Sequence, residues 1–282
     1  MKKILKKIAA TFPLPVQQEL KRYFFAYQIR KDRFVTSEKE FASLDRLVSP
    51  GDWVLDIGAN IGQYTKRFSD LVGSSGRVIA FEPVPDTFEL LAANAQHFRQ
   101  KNVTLFNAAA SDECSALGMS IPTFDTGLSN YYEAHISASS TGLQILTFPI
   151  DSFQLPHAIR LAKIDAEGHE MAVLRGMERL LTRDHPTLIV ETFTADVENY
   201  LRPFGYGVSQ IANSPNKIFT QKDVAMQYAS VKEVEIPPPC GSRPTCLSKH
   251  LLCGANTHAP SQHGADLTAI DLNHILGATR NE

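Results

Sequence analysis

A chain of 282 residues with 43% hydrophobic content is long enough for one sizeable α/β core with appendages, and no apolar run in it reaches the length of a membrane-spanning helix. With 28 Lys and Arg against 30 Asp and Glu, the net charge of −2 argues against nucleic acid as a partner, because such proteins present a basic face. Four cysteines at uneven spacing give no disulfide framework, and the expectation is a reduced, cytoplasmic protein.

The first 34 residues depart from that balance. They carry nine Lys or Arg and two acids, a net of +7, so the rest of the chain sums to −9. Lys2, Lys3, Lys6 and Lys7 stand opposite Ile4, Leu5 and Ile8 in a short basic amphipathic segment, too short in its apolar centre for a signal peptide and interrupted by Pro13 and Pro15. Leu20, Tyr23, Phe24 and Tyr27 then recur at helical spacing, with Lys21 and Arg22 on the other side. The first reading is a helix packed on the main domain; the second is contact of residues 1–34 with an anionic membrane surface, which would make the protein peripheral there. Ser37 and Glu40 have the spacing of a capping box ahead of Phe41, Leu44, Leu47 and Val48. Ser49-Pro50-Gly51 ends that helix and delivers the chain to the first strand, so residues 1–49 read as a basic, helical N-terminal extension.

Residues 52–62, Asp-Trp-Val-Leu-Asp-Ile-Gly-Ala-Asn-Ile-Gly, are the stretch around which the rest of the chain is organised. Trp53, Val54, Leu55 and Ile57 form the apolar run of a buried parallel strand, with Asp56 inside it where a plain core strand has no use for a carboxylate. Gly58 and Gly62 bracket a tight turn into a helix, a geometry that lets backbone N–H groups approach a nucleotide-type ligand. A second strand, residues 77–82, ends on Glu82, 24 positions after Gly58, where a carboxylate can accept both ribose hydroxyls. A third, residues 103–107, runs into Ala108-Ala109-Ala110-Ser111-Asp112, with small residues for a flat ring and Asp112 for an exocyclic amine.

Pro85 and Asp86 open a second crossover helix, which predicts a parallel sheet with right-handed connections. Residues 113–150 break the rhythm. They read as a hairpin-like insertion with loops over the site, with strand-like pieces near 119–121 and 143–148 and an aromatic pair, Tyr131–Tyr132. Residues 161–165 form the fourth parallel strand, and Asp165, Glu167, His169 and Glu170 cluster at its carboxyl end, where open α/β sheets hold ligands. Val173, Leu174, Met177, Leu180 and Leu181 trace one face of a single helix. Residues 186–191 are a fifth strand, residues 197–201 a helix, and 205–211 with 217–220 an antiparallel edge.

From Ala229 onward there is no Phe, Tyr or Trp, so a disordered tail over residues 221–282 is expected. Cys240, Cys246, His250, Cys253, His258 and His263 lie in it, but their spacing lacks the close pairs of structural zinc sites.

The motifs Asp56-Ile-Gly-Ala-Asn-Ile-Gly, Phe81-Glu82-Pro83, Asn107-Ala-Ala-Ala-Ser-Asp112 and Lys163-Ile-Asp-Ala-Glu-Gly-His-Glu170, in that order and spacing, resemble the signatures of FkbM-type methyltransferases over roughly residues 52–220. The resemblance implies an α/β, Rossmann-like class I methyltransferase fold, a seven-stranded, mostly parallel sheet flanked by helices, over a domain of residues 50–220. It implies S-adenosylmethionine as cofactor, held by Asp56, Gly58, Asn60, Gly62, Glu82 and Asp112, and O-methylation; the family is varied in substrate and leaves the acceptor open, with a hydroxyl on a sugar, glycan or secondary metabolite as the expectation.

Methyl transfer from a sulfonium is an in-line displacement, in which positioning supplies much of the catalysis. Where the acceptor hydroxyl needs a base, Asp165 is the first candidate and His169 the second. Asp165, Glu167 and Glu191 have no specific metal-ligand spacing, and no metal is expected. Two rivals remain at this level. One is a nicotinamide-dependent oxidoreductase, against which the glycine spacing and Asp56 count. The other is a methyltransferase-like binding module without chemistry.

Overall fold

The computed structural model describes residues 12–122, 134–137, 142–191, 194–210 and 214–221. The expectations for residues 1–10, for the Tyr131–Tyr132 pair and for the tail beyond residue 221 lie outside the described residues.

A helix α1 (Leu14–Arg30) and a 3-10 turn (Lys39–Arg46) precede the central sheet. The chain then alternates: β1 (Trp53–Ile57), α2 (Gln63–Val72), β2 (Arg77–Phe81), α3 (Pro85–Ala95) and β3 (Val103–Phe106). A smaller sheet comes next, made of β4 (Ala109–Ala110), β5 (Ser115–Ser120), β6 (His135–Ile136) and β7 (Leu143–Phe148). The main sheet resumes with β8 (Ile159–Ile164), α4 (Glu170–Arg175), α5 (Glu178–Asp184), β9 (Thr187–Glu191), α6 (Asp196–Leu201), β10 (Tyr206–Gln210) and β11 (Asn216–Gln221).

Seven strands pair in the order β10-β11-β9-β8-β1-β2-β3. β3, β2, β1, β8 and β9 are parallel, and β11 inserts antiparallel between β9 and β10. This is the class I methyltransferase fold. Its order reverses between β1 and β8, which places a crevice at their carboxyl ends.

Both faces of the central strands are covered, which is why they read as unbroken apolar runs. Leu55, Ile57, Ala162 and Ile164 face α4, α5 and α6 in the largest apolar cluster. Val54 and Leu161 face the other way, onto Tyr64 and Phe68 of α2 and onto Phe41 and Leu44 of the 3-10 turn. Burying a side chain such as Phe68 contributes about 1.5–3 kcal/mol. Two charged residues interrupt this pattern, Asp56 in β1 and Lys163 in β8. They are register partners across the parallel pair.

Three local expectations change. The helix expected from Val173 to Leu181 divides into α4 and α5 at Gly176, where a Cβ would stand 1.8 Å from the Ser111 carbonyl oxygen; the five apolar residues are buried all the same. Ser37 and Glu40 form no capping box, because Glu40 is fully buried and accepts hydrogen bonds from Ser214 Oγ at 2.8 Å and from Asn216 Nδ2. Finally, α1 packs through Phe25 and Ile29, which meet Ile61, Leu90 and Phe98, while Leu20, Tyr23 and Tyr27 face outward.

Candidate functional site

One cavity gathers most of the residues expected at the site. Its wall includes Asp56, Gly58, Asn60, Glu82, Asp165, Glu167 and His169, all at the carboxyl ends of β1, β2 and β8. The insertion closes one side with Met119, Ala134 and Ile136, and the segment after α1 contributes Thr36, Ser37 and Glu38.

The turn after β1 is built for close backbone approach. Gly58 and Ala59 donate their N–H groups to the Phe81 carbonyl at 3.0 and 2.9 Å. Gly58 has φ +76, and a Cβ there would lie 1.8 Å from the Asp165 carbonyl oxygen, so both the conformation and the contact require glycine. Asn60 also has positive φ, +50, which its side chain type tolerates. That conformation aims the Asn60 N–H at Glu82 Oε2, 2.8 Å away.

Glu82 is buried and accepts a second backbone bond, from Val84 N–H to Oε1 at 3.0 Å. Burial pushes its pKa up to about 7, against the two backbone donors that favour the ionised form; Asp165 and Asp56 add to the rise. One lone pair on each oxygen remains for a pair of donors. Asp56 is fully buried, and Thr65 Oγ1 donates to its Oδ2 at 2.6 Å. Its Oδ1 is buried without a hydrogen-bond partner. Burial raises the Asp56 pKa, while Lys163 and Thr65 oppose the rise. Such an acceptor calls for an amine or an ordered water.

Lys163 is the buried cation of the site. Its Nζ lies 2.9 Å from Asp165 Oδ2 and 4.7 Å from the centroid of the Tyr64 ring. Burial works against its charge, but Asp165, Glu38 and Asp56 outweigh that and hold its pKa above the ordinary lysine value. Tyr64 in turn donates to Glu38 Oε2 at 2.8 Å, and Asn216 Nδ2 donates to the same oxygen at 3.0 Å. Burial first, then Glu38 and Glu40, push the Tyr64 hydroxyl far above its usual pKa, so it remains a donor.

His169 occupies the N-cap position of α4 without a side-chain capping bond and borders the cavity, with Nε2 at 2.9 Å from Ser111 Oγ. Burial lowers its pKa, opposed by Asp112 and Glu170. Gly62 and Asp112 are not part of the cavity wall. Gly62, with φ +94, serves the entry to α2. Asp112 is exposed and accepts from Ser111 Oγ at 3.2 Å, with Arg175 Nη1 at 3.9 Å.

Lys163, Tyr64 and Glu38 join the site without being expected there from the sequence. Lys163 has a visible signal, a charge inside a buried strand. Glu38 and Tyr64 have none, because their meeting depends on how the chain before β1 folds back over α2.

Among curated proteins, the hexuronic acid methyltransferase AglP of Haloferax volcanii is 28% identical over 134 residues, 46% of this chain and 52% of that protein. The chain therefore spans about half the length of the curated relative it matches. Among solved structures, the methyltransferase FkbM of Methylobacillus flagellatus KT superposes with a TM-score of 0.45 at 19% identity, over 61% of this chain and 44% of that one. Aeropyrum pernix fibrillarin in complex with natively bound S-adenosyl-L-methionine gives 0.41 at 16% identity, over 64% and 72%. Residues 56–208, more than half of the chain, match the methyltransferase FkbM domain, and the protein belongs to that family of methyltransferases.

Proposed function

We propose that the chain is an S-adenosylmethionine-dependent O-methyltransferase whose acceptor is a hydroxyl on a sugar, glycan or secondary metabolite. The observation that carries this reading is the convergence of two buried carboxylates, Asp56 and Glu82, on one cavity beside the glycine turn. Glu82 keeps a lone pair on each oxygen for the two ribose hydroxyls, and Asp56 Oδ1 lacks a partner that the cofactor's amino group or a bridging water can supply. Gly58 and Asn60 let the cofactor approach the backbone, with Gly62 setting the helix behind them. Asp112 is the weakest member of this set, since it stands outside the cavity wall. When bound, the cofactor supplies an electrophilic methyl group on a sulfonium.

The acceptor side lies toward Glu38, Asp165, Glu167 and His169. The wall carries five carboxylates, Glu38, Asp56, Glu82, Asp165 and Glu167, against one lysine, Lys163, which is already engaged with Asp165. A carboxylate acceptor would meet like charge there, whereas a neutral hydroxyl would not. The hexuronic acid named for the Haloferax volcanii relative supports a sugar-type acceptor, but that sugar carries a carboxylate, so the neutral acceptor rests on the charge of this wall alone. Asp165 and His169 divide the remaining work. Asp165 Oδ2 is engaged by the Lys163 ammonium at 2.9 Å, which fixes the carboxylate in place, so Asp165 orients the acceptor. His169, kept neutral by burial, takes the proton. This reverses the order of the two roles read in the sequence.

Calorimetric titration with S-adenosylmethionine and with NAD, then release of S-adenosylhomocysteine over a panel of neutral and acidic saccharides, tests the reading. Cofactor binding with turnover on a neutral hydroxyl is expected. Binding of NAD instead would point to the oxidoreductase rival, and cofactor binding with no turnover on any acceptor would favour a module without chemistry.

A further inference from the structure

Helix α1 meets the domain with one face only. Phe25 and Ile29 pack on Ile61, Leu90 and Phe98, and Arg22 bonds Glu89 of α3 at 3.1 Å, which together fix the roll of the helix. The opposite face carries Val16, Leu20, Tyr23 and Tyr27, spaced four, three and four residues apart, with Tyr23 72% exposed. An apolar and aromatic stripe held outward by a docked helix marks a surface that something covers. Arg30 and Lys31 continue the same face, three and four residues beyond Tyr27, and both are exposed.

Charge selects the occupant. Residues 1–34 carry +7 while the remainder of the chain carries −9, and no acid precedes Glu19. The two acids of the segment are already matched, Glu19 by Arg22 at 2.5 Å and Asp32 by Lys66 at 3.7 Å. A second copy pairing through this face about a two-fold axis would set like charge against like. Among the described residues, no helix is long and apolar enough to cross a membrane. We propose that α1 lies flat on an anionic lipid bilayer. Val16, Leu20, Tyr23 and Tyr27 enter at headgroup depth, where tyrosine's apolar ring and polar tip both find suitable surroundings. Arg30 and Lys31 face the lipid phosphates, and the positive charge of residues 1–34 adds to the attraction.

The test uses the full chain with vesicles of equimolar phosphatidylglycerol and phosphatidylcholine, and with phosphatidylcholine alone. Co-sedimentation is expected with the first, at least about tenfold weaker with the second, and weakened by added salt. The pair Leu20→Ser with Tyr23→Ser, and the pair Arg30→Glu with Lys31→Glu, should each lower vesicle affinity by about tenfold or more at unchanged melting temperature, since all four side chains are exposed. Failure to bind either vesicle, equal binding to both, or variants that bind like the wild type would overturn the proposal. So would a solution dimer that Leu20→Ser with Tyr23→Ser dissociates while vesicle binding is absent. None of these readouts involves methyl transfer, so the outcome is independent of the catalytic reading.

Discussion

The Lys163 ammonium, itself buried, meets the partly buried Asp165 carboxylate at 2.9 Å, at a point where β8 has no other charge to bury. Lys163 also lies opposite Asp56 in the register of β1 and β8, so one cation serves carboxylates on both sides of the switch point. Removing it leaves buried acids without a counter-charge. Lys163→Met should therefore destabilise the fold by about 3–5 kcal/mol, the scale for breaking a buried pair by deleting one partner. Urea unfolding at neutral pH measures this, and a loss under about 1 kcal/mol would mean that water reaches the cluster freely.

The central sheet is legible in the sequence because strands covered on both faces have to be mostly apolar, and β1, β2, β8 and β9 are, apart from a few charged or polar positions. Asp56, Glu82, Asp165 and His169, which the structure brings to one cavity, are legible for the complementary reason that they stand where plain packing has no use for them. What escapes a sequence reading depends on contacts between distant segments. Asp112 is expected at the rim after β3, but Ala109 and Ala110 pair with β7 and Ser111 N–H bonds the Phe148 carbonyl at 3.0 Å, which draws the chain into the second sheet. Glu40 has the spacing of a capping residue, yet its partners, Ser214 and Asn216, are about 175 positions away along the chain. The packed face of α1 is hidden because aromatic spacing alone does not say which aromatic stripe packs. Phe25 with Ile29 and Tyr23 with Tyr27 both have helical spacing.

Glu82 should make cofactor affinity depend on pH. Its pKa stands at about 7 in the folded protein, and the ionised form is the better acceptor for two ribose hydroxyls. Affinity for S-adenosylmethionine should therefore rise about tenfold between about pH 6 and about pH 8, as the ionised fraction grows. Glu82→Gln should flatten this dependence and lower affinity by about 1.5–3 kcal/mol, since an amide offers one acceptor oxygen in place of two. Calorimetry across that range decides it, and a flat wild-type profile would mean the ribose is held elsewhere.

Gly58 should tolerate no side chain. Alanine at φ +76 costs about 1–2 kcal/mol in backbone conformation alone. Its Cβ would also fall 1.8 Å from the Asp165 carbonyl oxygen, so the β1 turn and the end of β8 would have to separate. Gly58→Ala should lose at least about 3 kcal/mol in total and weaken cofactor binding in whatever fraction still folds. Thermal melts with and without S-adenosylmethionine would show both effects. A variant within about 1 kcal/mol of wild type in stability would mean that the turn can open without harm.

Proton removal is where Asp165 and His169 separate. Ser111 Oγ has one proton, and when that proton goes to Asp112 Oδ1 at 3.2 Å the same oxygen accepts from His169 Nε2–H at 2.9 Å. That arrangement leaves Nδ1 as the basic nitrogen. Burial holds the imidazole pKa below its ordinary 6.5, so the neutral, basic form is present at neutral pH and is lost only as the pH falls through that lowered value. The pH profile of kcat/KM should accordingly be level around neutrality and fall on an acid limb with its midpoint below 6.5. His169→Ala should lower turnover by about 10²–10⁴-fold and abolish that limb, while binding of S-adenosylmethionine stays close to wild type. Asp165→Asn should instead act mainly through KM for the acceptor, because an amide can still orient a hydroxyl but no longer matches the Lys163 charge. If the acid limb persists in His169→Ala and disappears in Asp165→Asn, the carboxylate is the base and the imidazole serves only its contact with Ser111.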